Sequence, residues 1–289
     1  MLLERILQFF AKEIEAELGI VYSESNYFQL QNRLEEIAKQ VGANDIYALY
    51  ESAKGGLTGP LKQLLLDIAT NNETSFFRDP KIYKSIETLL FGQDTSPLQP
   101  YETLRIWSAA CSTGQEPLSL AMMLTERSEK TKAALSFNIL ATDISERVLN
   151  KAKTGVYTQL EVQRGLPAPM MLKYFTKDDQ DRWTASMELR RHIEYGKLNL
   201  RDKFGFNGLF HTILCRNVLI YQSVEGKRDI LTRITEALCP GGYLILGAGE
   251  SLIGLSNDFE HKTVDGVIIY RKKIQQQTPE NFEKLEKLA

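Results

Sequence analysis

The segment Ser108-Ala109-Ala110-Cys111-Ser112-Thr113-Gly114-Gln115-Glu116-Pro117 has the residue types of a ligand-holding turn. It follows the apolar run Leu104-Arg105-Ile106-Trp107 and precedes Leu118-Ser119-Leu120-Ala121-Met122-Met123-Leu124. The pattern reads as a strand, a turn of small residues and a helix opening just after Pro117. Small side chains let backbone N–H groups come close to a ligand, and a helix start offers further unpaired donors. Twenty-nine positions past Gly114, the apolar run Phe137-Asn138-Ile139-Leu140-Ala141-Thr142 ends on Asp143. An acid at the tip of a second parallel strand is where nucleotide-binding sheets hold ribose hydroxyls. Together the two segments point to a ligand with an adenosine-like part.

Gly114 is the one glycine of the turn, so neither G-x-G-x-x-G nor G-x-x-x-x-G-K is present. Without a phosphate cradle the site suits a nucleoside lacking phosphates better than NAD or ATP. S-adenosylmethionine is the common cofactor of that kind. Taken alone, the segment fits an ordinary strand-to-helix turn of an α/β protein equally well.

Two further constellations carry polar chemistry. Asn71-Asn72-Glu73-Thr74-Ser75-Phe76-Phe77-Arg78-Asp79-Pro80 flanks an aromatic pair with polar side chains and a lone arginine. Arg78 offers a planar, permanently charged partner for a carboxylate; Thr74 or Ser75 also reads as a helix N-cap over core phenylalanines. His211-Thr212-Ile213-Leu214-Cys215-Arg216-Asn217-Val218-Leu219-Ile220-Tyr221 is a buried-strand pattern running into polar residues. Ligands of open α/β sheets lie beyond the carboxyl ends of the strands, which brings Arg216, Asn217 and Tyr221 toward the first two segments. Singly, Arg216 reads as well as a structural ion-pair residue and Tyr221 as a packing ring.

The elements that must position these groups follow from the patterning. The chain has 289 residues, 43% hydrophobic and 25% charged, with a formal net charge of −2. That is ordinary for a soluble globular protein of one or two domains and gives no basic nucleic-acid footprint. No apolar run approaches membrane-span length, and the start does not read as a signal peptide. Cys111, Cys215 and Cys239 are odd in number and widely spaced, and the three histidines are scattered at 192, 211 and 261. Disulfide frameworks, metal sites and serine-type catalysis are therefore not expected, and a reducing compartment is. Through residue 70, apolar stripes at helical spacing (Leu3 to Leu18, Tyr27 to Ile37, Ile46 to Tyr50, Leu61 to Ile68) are punctuated by Gly19, Gly42, Gly55-Gly56 and Gly59-Pro60. After a polar loop from Gly92 to Thr103, unalternated strand candidates at 104–107, 137–141, 209–215 and 243–246 imply a parallel sheet covered on both faces. Tyr243–Gly247 and Val267–Arg271 predict an antiparallel closing pair. Short runs at 174–176, 182–187 and 193–197 predict a small antiparallel insertion, and the chain from Gln275 onward reads as a polar tail.

In order, "NNETSFFRDP", "RIWSAACSTGQEPLSLAMML", "ATDISERVLNKAKTGVY" and "FHTILCRNVLIYQ", behind a helical N-terminal region, closely resemble the CheR family of S-adenosylmethionine-dependent protein-glutamate O-methyltransferases. The resemblance runs from about residue 1 to 272. It implies an α/β class I S-adenosylmethionine-dependent methyltransferase fold, with a Rossmann-like sheet and an antiparallel terminal strand pair. The implied units are a helical domain over 1–70, a methyltransferase domain over 71–272 with a β-subdomain at 173–198, and a tail over 273–289. It further implies that Asn72, Thr74 and Arg78 contact the cofactor, Arg78 beside the methionine carboxylate and the transfer centre. Ala110 and Glu116 belong to the small-residue turn and helix start, Glu116 as a cofactor contact, and Asp143 holds the ribose. Asn199 and Leu200 lie beside the adenine, Arg216 and Asn217 lie toward the substrate end, and Tyr221 orients the reacting groups. The implied acceptor is the cytoplasmic domain of a methyl-accepting chemotaxis receptor, with S-adenosylhomocysteine as the other product. A cytoplasmic monomer that binds no nucleic acid and does not insert directly into a membrane is expected. The alternatives are a methyltransferase of the same fold acting on another protein or a small acid, and a non-catalytic sensor of the cofactor.

One departure concerns docking. The family meets its acidic receptor helices with a basic N-terminal helix, whereas Asn32-Arg33-Leu34-Glu35-Glu36-Ile37-Ala38-Lys39-Gln40 carries two bases and two acids. Residues 1–70 hold six Lys and Arg against ten Asp and Glu. Like-charge contact with an acidic target is unfavourable, though screened by salt.

Overall fold

The computed structural model describes residues 2–57, 59–92, 103–132 and 135–274. The four apolar stripes before residue 70 form α1 (Leu2–Leu18), α2 (Tyr27–Val41), α3 (Ile46–Ala53) and α4 (Gly59–Ala69), packed around Ile6, Phe10, Ile14, Leu30, Leu34 and Leu49. Gly42 ends α2 in the left-handed conformation at φ 73°, and Asp45 caps α3 by accepting from the Ala48 N–H at 2.8 Å. The cofactor-side elements follow: α5 (Pro80–Phe91), β1 (Leu104–Ala109), α6 (Gln115–Thr131), β2 (Phe137–Asp143) and α7 (Glu146–Thr154). Then come β3 (Val156–Thr158), α8 (Gln159–Gln163), α9 (Ala168–Tyr174), β4 (Phe175–Lys177), β5 (Arg182–Ala185), α10 (Met187–Arg190) and β6 (Ile193–Lys197). The chain closes with β7 (Phe210–Cys215), α11 (Val224–Ala237), β8 (Leu238–Leu246), β9 (Phe259–Val264) and β10 (Val267–Lys272).

The unalternated apolar runs pair as one seven-stranded sheet in the order β6-β2-β1-β7-β8-β10-β9, parallel except for β10, which lies antiparallel to both neighbours. This is the class I methyltransferase layout, with its antiparallel strand inserted next to the closing edge. The register decides the site. Ala109 pairs with Thr142 on one side and Cys215 on the other, Cys215 pairs with Leu246, and Asp143 pairs with Lys197. Ala110, Asp143, Arg216, Gly247 and Leu198 therefore leave the strands at one end of the sheet, where the chain must turn and backbone groups open toward a ligand. Beneath them Trp107 is fully buried, donates from Nε1 to Thr142 Oγ1 at 2.9 Å and packs edge-on against Phe204 and Phe206.

Three expectations change. The three short runs predicted as an insertion over 173–198 divide between two sheets: β4 and β5 pair with β3, which lies before the expected start, whereas 193–197 is β6, parallel to β2. As an edge strand with one neighbour, β6 is half exposed and so patterns like a small surface hairpin. The helix after the turn begins at Gln115, not after Pro117, with Gly114 at φ 92° before it. Pro117 sits in the first turn, where its missing N–H costs no helical bond. Phe259–Val264, absent from the expected strands, forms the outer edge beside β10. Most of the predicted polar loop (93–102) and the tail from 275 lie outside the described residues. Among the described residues no helix is long and apolar enough to cross a membrane.

Candidate cofactor and active site

All eleven side chains singled out from the sequence line a single cleft at the carboxyl ends of the strands. Its empty space is about 1140 Å³ including the open mouth, ample for a nucleoside with an amino-acid arm. The helical domain forms one wall, through Leu18 and Ile20, because its exit is tied down. Asn199 Nδ2 donates to the Glu17 carbonyl at 2.8 Å, Gln222 Nε2 to the Leu18 carbonyl at 3.0 Å, and the Val21 N–H to the Tyr221 carbonyl at 2.9 Å. Asn199 is thereby partly occupied by α1, while Leu200 is nine-tenths buried between the cleft and the aromatic cluster around Trp107.

Local strain concentrates here. Of the eight non-glycine residues at positive φ among the described residues, five border this region: Phe77, Asp79, Ala110, Ser112 and Asn217, with φ between 46° and 60°. Each such residue costs about 1–3 kcal/mol, which persists only where surroundings over-determine it. The small-residue turn is such a place. Its N–H groups at Cys111, Ser112 and Gly114 are taken up by the Thr142 carbonyl (2.9 Å), Asp143 Oδ2 (2.9 Å) and the Cys111 carbonyl (3.1 Å). The first two tie the turn to β2 and the third closes the turn on itself, so none faces a ligand, in accord with a site built for no phosphate. Gly114 is at φ 92° and tightly packed: a Cβ would lie 3.0 Å from both Ala152 Cβ and Tyr157 Oη.

Asp143 is buried, and each carboxylate oxygen accepts one backbone N–H, Oδ2 from Ser112 and Oδ1 from Ser145 (3.0 Å). Burial pushes its carboxyl above the ordinary value, and the N–H bonds from Ser145 and Ser112 hold the rise back. A lone pair remains on each oxygen for a pair of hydroxyl donors, which is the chemistry of a ribose edge.

Glu116 is held on both sides, Oε1 by the Ser108 hydroxyl at 2.7 Å and Oε2 by Arg216 Nη1 at 2.9 Å. Arg216 is the keystone of the site floor: its side chain is 2% exposed, and Nη2 donates to the Arg78 carbonyl at 2.8 Å and Asp79 Oδ2 at 2.6 Å. Burial works against its charge, but the charge and hydrogen bond of Glu116, with Asp79 beside them, outweigh it and raise its pKa further. One guanidinium thus joins β7, the start of α6 and the 71–79 segment. That segment is fixed again where the Ser112 hydroxyl donates to the Asn72 carbonyl at 2.7 Å and the Phe77 N–H donates to Ser119 Oγ at 3.0 Å. Thr74 and Arg78 border the cleft from this segment, with Arg78 Nη1 donating to the Glu73 carbonyl at 3.0 Å. Where this segment meets the loop after β7, the Tyr221 hydroxyl accepts from Asn71 Nδ2 at 2.9 Å, so its own proton is left for an acceptor.

Sequence reasoning missed Ile144 and Leu198, apolar walls whose only signal is their place just past strand ends. It also missed Glu250, discussed below. The fit to S-adenosylmethionine is good on these grounds: a hydroxyl-accepting carboxylate, flanking apolar walls, an anionic residue at Glu116 and a cationic one at Arg78, and no phosphate cradle.

The comparisons with known proteins agree. The family described as "CheR methyltransferase, SAM binding domain" matches residues 72–268. The chain is 36% identical over 262 residues to chemotaxis protein methyltransferase Cher2 of Pseudomonas putida, covering 90% of this chain and 95% of that protein. It is 37% identical to chemotaxis protein methyltransferase 1 of Pseudomonas aeruginosa, with the same coverage. It is 32% identical to the chemotaxis protein methyltransferase of Borreliella burgdorferi, covering 85% of this chain and 88% of that one. With a seven-stranded sheet whose penultimate strand is antiparallel and a cleft fitted to a phosphate-free nucleoside, the chain belongs to the CheR family of chemotaxis methyltransferases, and its cofactor is S-adenosylmethionine.

Proposed function

We propose that the chain methylates glutamate side chains on the cytoplasmic domain of a methyl-accepting chemotaxis receptor, acting in the cytoplasm as a monomer. The products are glutamyl methyl esters and S-adenosylhomocysteine. The observation that carries this reading is the absence of a free general base around the cleft. Among the described residues that line it there is no His or Lys, and Glu116 is taken by Ser108 and Arg216. Asp143 sits on the ribose side, and Glu73 pairs with Arg164. An acceptor that works here must already be a nucleophile. A glutamate carboxylate, with an ordinary pKa of about 4.3, is one at neutral pH.

The bound cofactor supplies a methyl group already activated on a sulfonium. What remains for the protein is alignment and removal of water from the incoming carboxylate. Asp143 holds the ribose, Asn72 and Thr74 border the amino-acid arm, and Arg78 faces its carboxylate. Asn199 and Leu200 flank the base, with Ala110 leaving room for it. Tyr221 donates to the acceptor carboxylate and turns one lone pair inward, while Asn217 and Arg216 set the floor beneath. Each transfer erases one negative charge, which weakens repulsion between packed acidic helices of the receptor.

In this reading α2 is a poor docking surface for an acidic receptor helix, since its two bases are matched by two acids. Arg33 is engaged inside the protein, with Nη1 donating to the Tyr22 hydroxyl at 2.6 Å and also bonded to the Ala69 carbonyl. The test is competition between receptor cytoplasmic fragments and free small acids for labelled methyl. Label on the fragments alone is expected; label on free small acids at comparable rates refutes the receptor assignment.

A further inference from the structure

The loop from Arg216 to Gln222 carries Arg216, Asn217 and Tyr221, the three groups assigned to the acceptor side of the cleft, yet it has little regular structure of its own. What holds it is a residue outside the cleft lining, on the loop after β8. The carboxylate of Glu250 accepts four backbone N–H groups. Oε2 takes those of Asn217 at 2.7 Å and Gly247 at 2.8 Å, and Oε1 takes those of Val218 at 2.9 Å and Ile220 at 3.2 Å. A carboxylate has about four lone-pair sites, so this one is saturated by main-chain donors, and charge-assisted bonds of this kind are the stronger ones. The arrangement fixes Asn217 at φ 59°, a conformation a non-glycine residue holds only under constraint. It also demands glycine at 247: a Cβ there would lie 2.7 Å from Asn217 Nδ2, 2.9 Å from the Asn217 nitrogen and 2.9 Å from Glu250 Oε2.

From this geometry we propose that Glu250 is a positioning residue for methyl transfer. Its carboxylate, with Gly247 as the matching gap, sets the backbone of 217–220 and through it the placement of Asn217 and Tyr221. It touches neither cofactor nor acceptor, and with all its lone pairs engaged it serves as no base. The inference rests on the methyltransferase reading for its kinetic consequence, but its structural content is independent of which acceptor is used.

Glu250→Gln is the main variant, because it keeps size and shape while turning an NH₂ group toward two N–H donors. Gly247→Ala strains the same cradle from its other side. In both, kcat for the acceptor is expected to fall roughly tenfold to a hundredfold, the cost of slight misplacement of reacting groups. Affinity for S-adenosylhomocysteine by calorimetry should stay within about threefold, because the ribose and turn contacts lie on β1 and β2. In the protein without acceptor, hydrogen exchange at the amides of 217, 218 and 220 should rise selectively in Glu250→Gln. Unchanged exchange at those amides overturns the cradle whether or not any acceptor is known. Wild-type kcat in Glu250→Gln, or loss of cofactor affinity in proportion to turnover, overturns the positioning role. If the wild type labels no acceptor, the proposed reaction fails, and the exchange measurement still decides the cradle.

Discussion

Replacing Arg216 with methionine is the sharpest perturbation of the site floor. The arginine side chain is 2% exposed and its partner Glu116 is 12% exposed, whereas Asp79 is 42% exposed and can rehydrate. Arg216→Met therefore strands one carboxylate, that of Glu116, in a buried site that retains only the Ser108 hydroxyl as donor. Removing one partner of a buried pair costs about 3–5 kcal/mol. At roughly 2–4 °C per kcal/mol for a protein of this size class, the melting temperature should fall by about 6–20 °C. The double variant Glu116→Gln with Arg216→Met removes the stranded charge and leaves Ser108 an acceptor, so it should recover more than half of that loss. Thermal and urea unfolding of the four corners of the cycle supply the numbers. A single-variant loss under about 1 kcal/mol, or additive losses in the double variant, would refute the picture of Arg216 as a buried clamp.

Other outcomes follow from the same geometry. Tyr221→Phe should slow turnover while leaving affinity for S-adenosylhomocysteine within about twofold, measured by calorimetry beside labelled-methyl kinetics; a variant that fails to bind contradicts an orienting role. Burial raises the Asp143 carboxyl, so the ionised form that accepts hydroxyls is lost, as pH falls, earlier than for an exposed aspartate. The sign is that of an acid whose folded pKa is raised: its cost to folding is present above the unfolded value and relieved on acidification, while cofactor affinity weakens. Calorimetric titration across mildly acid pH should show that weakening in the wild type and not in Asp143→Asn. Gly114→Ala should destabilise by about 1–3 kcal/mol, combining a left-handed backbone with Cβ contacts of 3.0 Å to Ala152 and Tyr157, and weaken cofactor binding in the same assay. Lys39→Glu should leave receptor methylation unchanged if docking does not use α2; a loss of several-fold restores that helix to the interface.

The sequence revealed the turn at 108–117, Asp143 and the 71–80 and 211–221 segments because each joins an apolar run to polar groups at a strand or helix end. Parallel pairing then brought those ends together almost automatically: Ala109 sits between Thr142 and Cys215, so Ala110, Asp143 and Arg216 are neighbours without further design. Less visible were features set by partners rather than by local pattern. The edge strands β6 and β9 bury one face partially, so their alternation is weak, and nothing local says which sheet they join. The strand expected over 243–246 in fact begins at Leu238 and runs through Cys239-Pro240-Gly241-Gly242. Arg216 read either as a ligand contact or as a structural ion-pair residue, and its three bonds to Glu116, Asp79 and the Arg78 carbonyl appear only once the elements are packed. Glu250 left no trace at all, because a side chain that binds main-chain N–H groups far off in sequence makes no motif.

The most direct test of the central claim is transfer of radiolabelled methyl from S-adenosylmethionine to chemoreceptor-containing membranes, with base-labile release as the readout for carboxyl esters. The account predicts base-labile label on the receptor, lost in Tyr221→Phe and Arg78→Ala. No receptor label, from protein shown by calorimetry to bind the cofactor, would contradict it and move the reaction to another acceptor or to a sensing role.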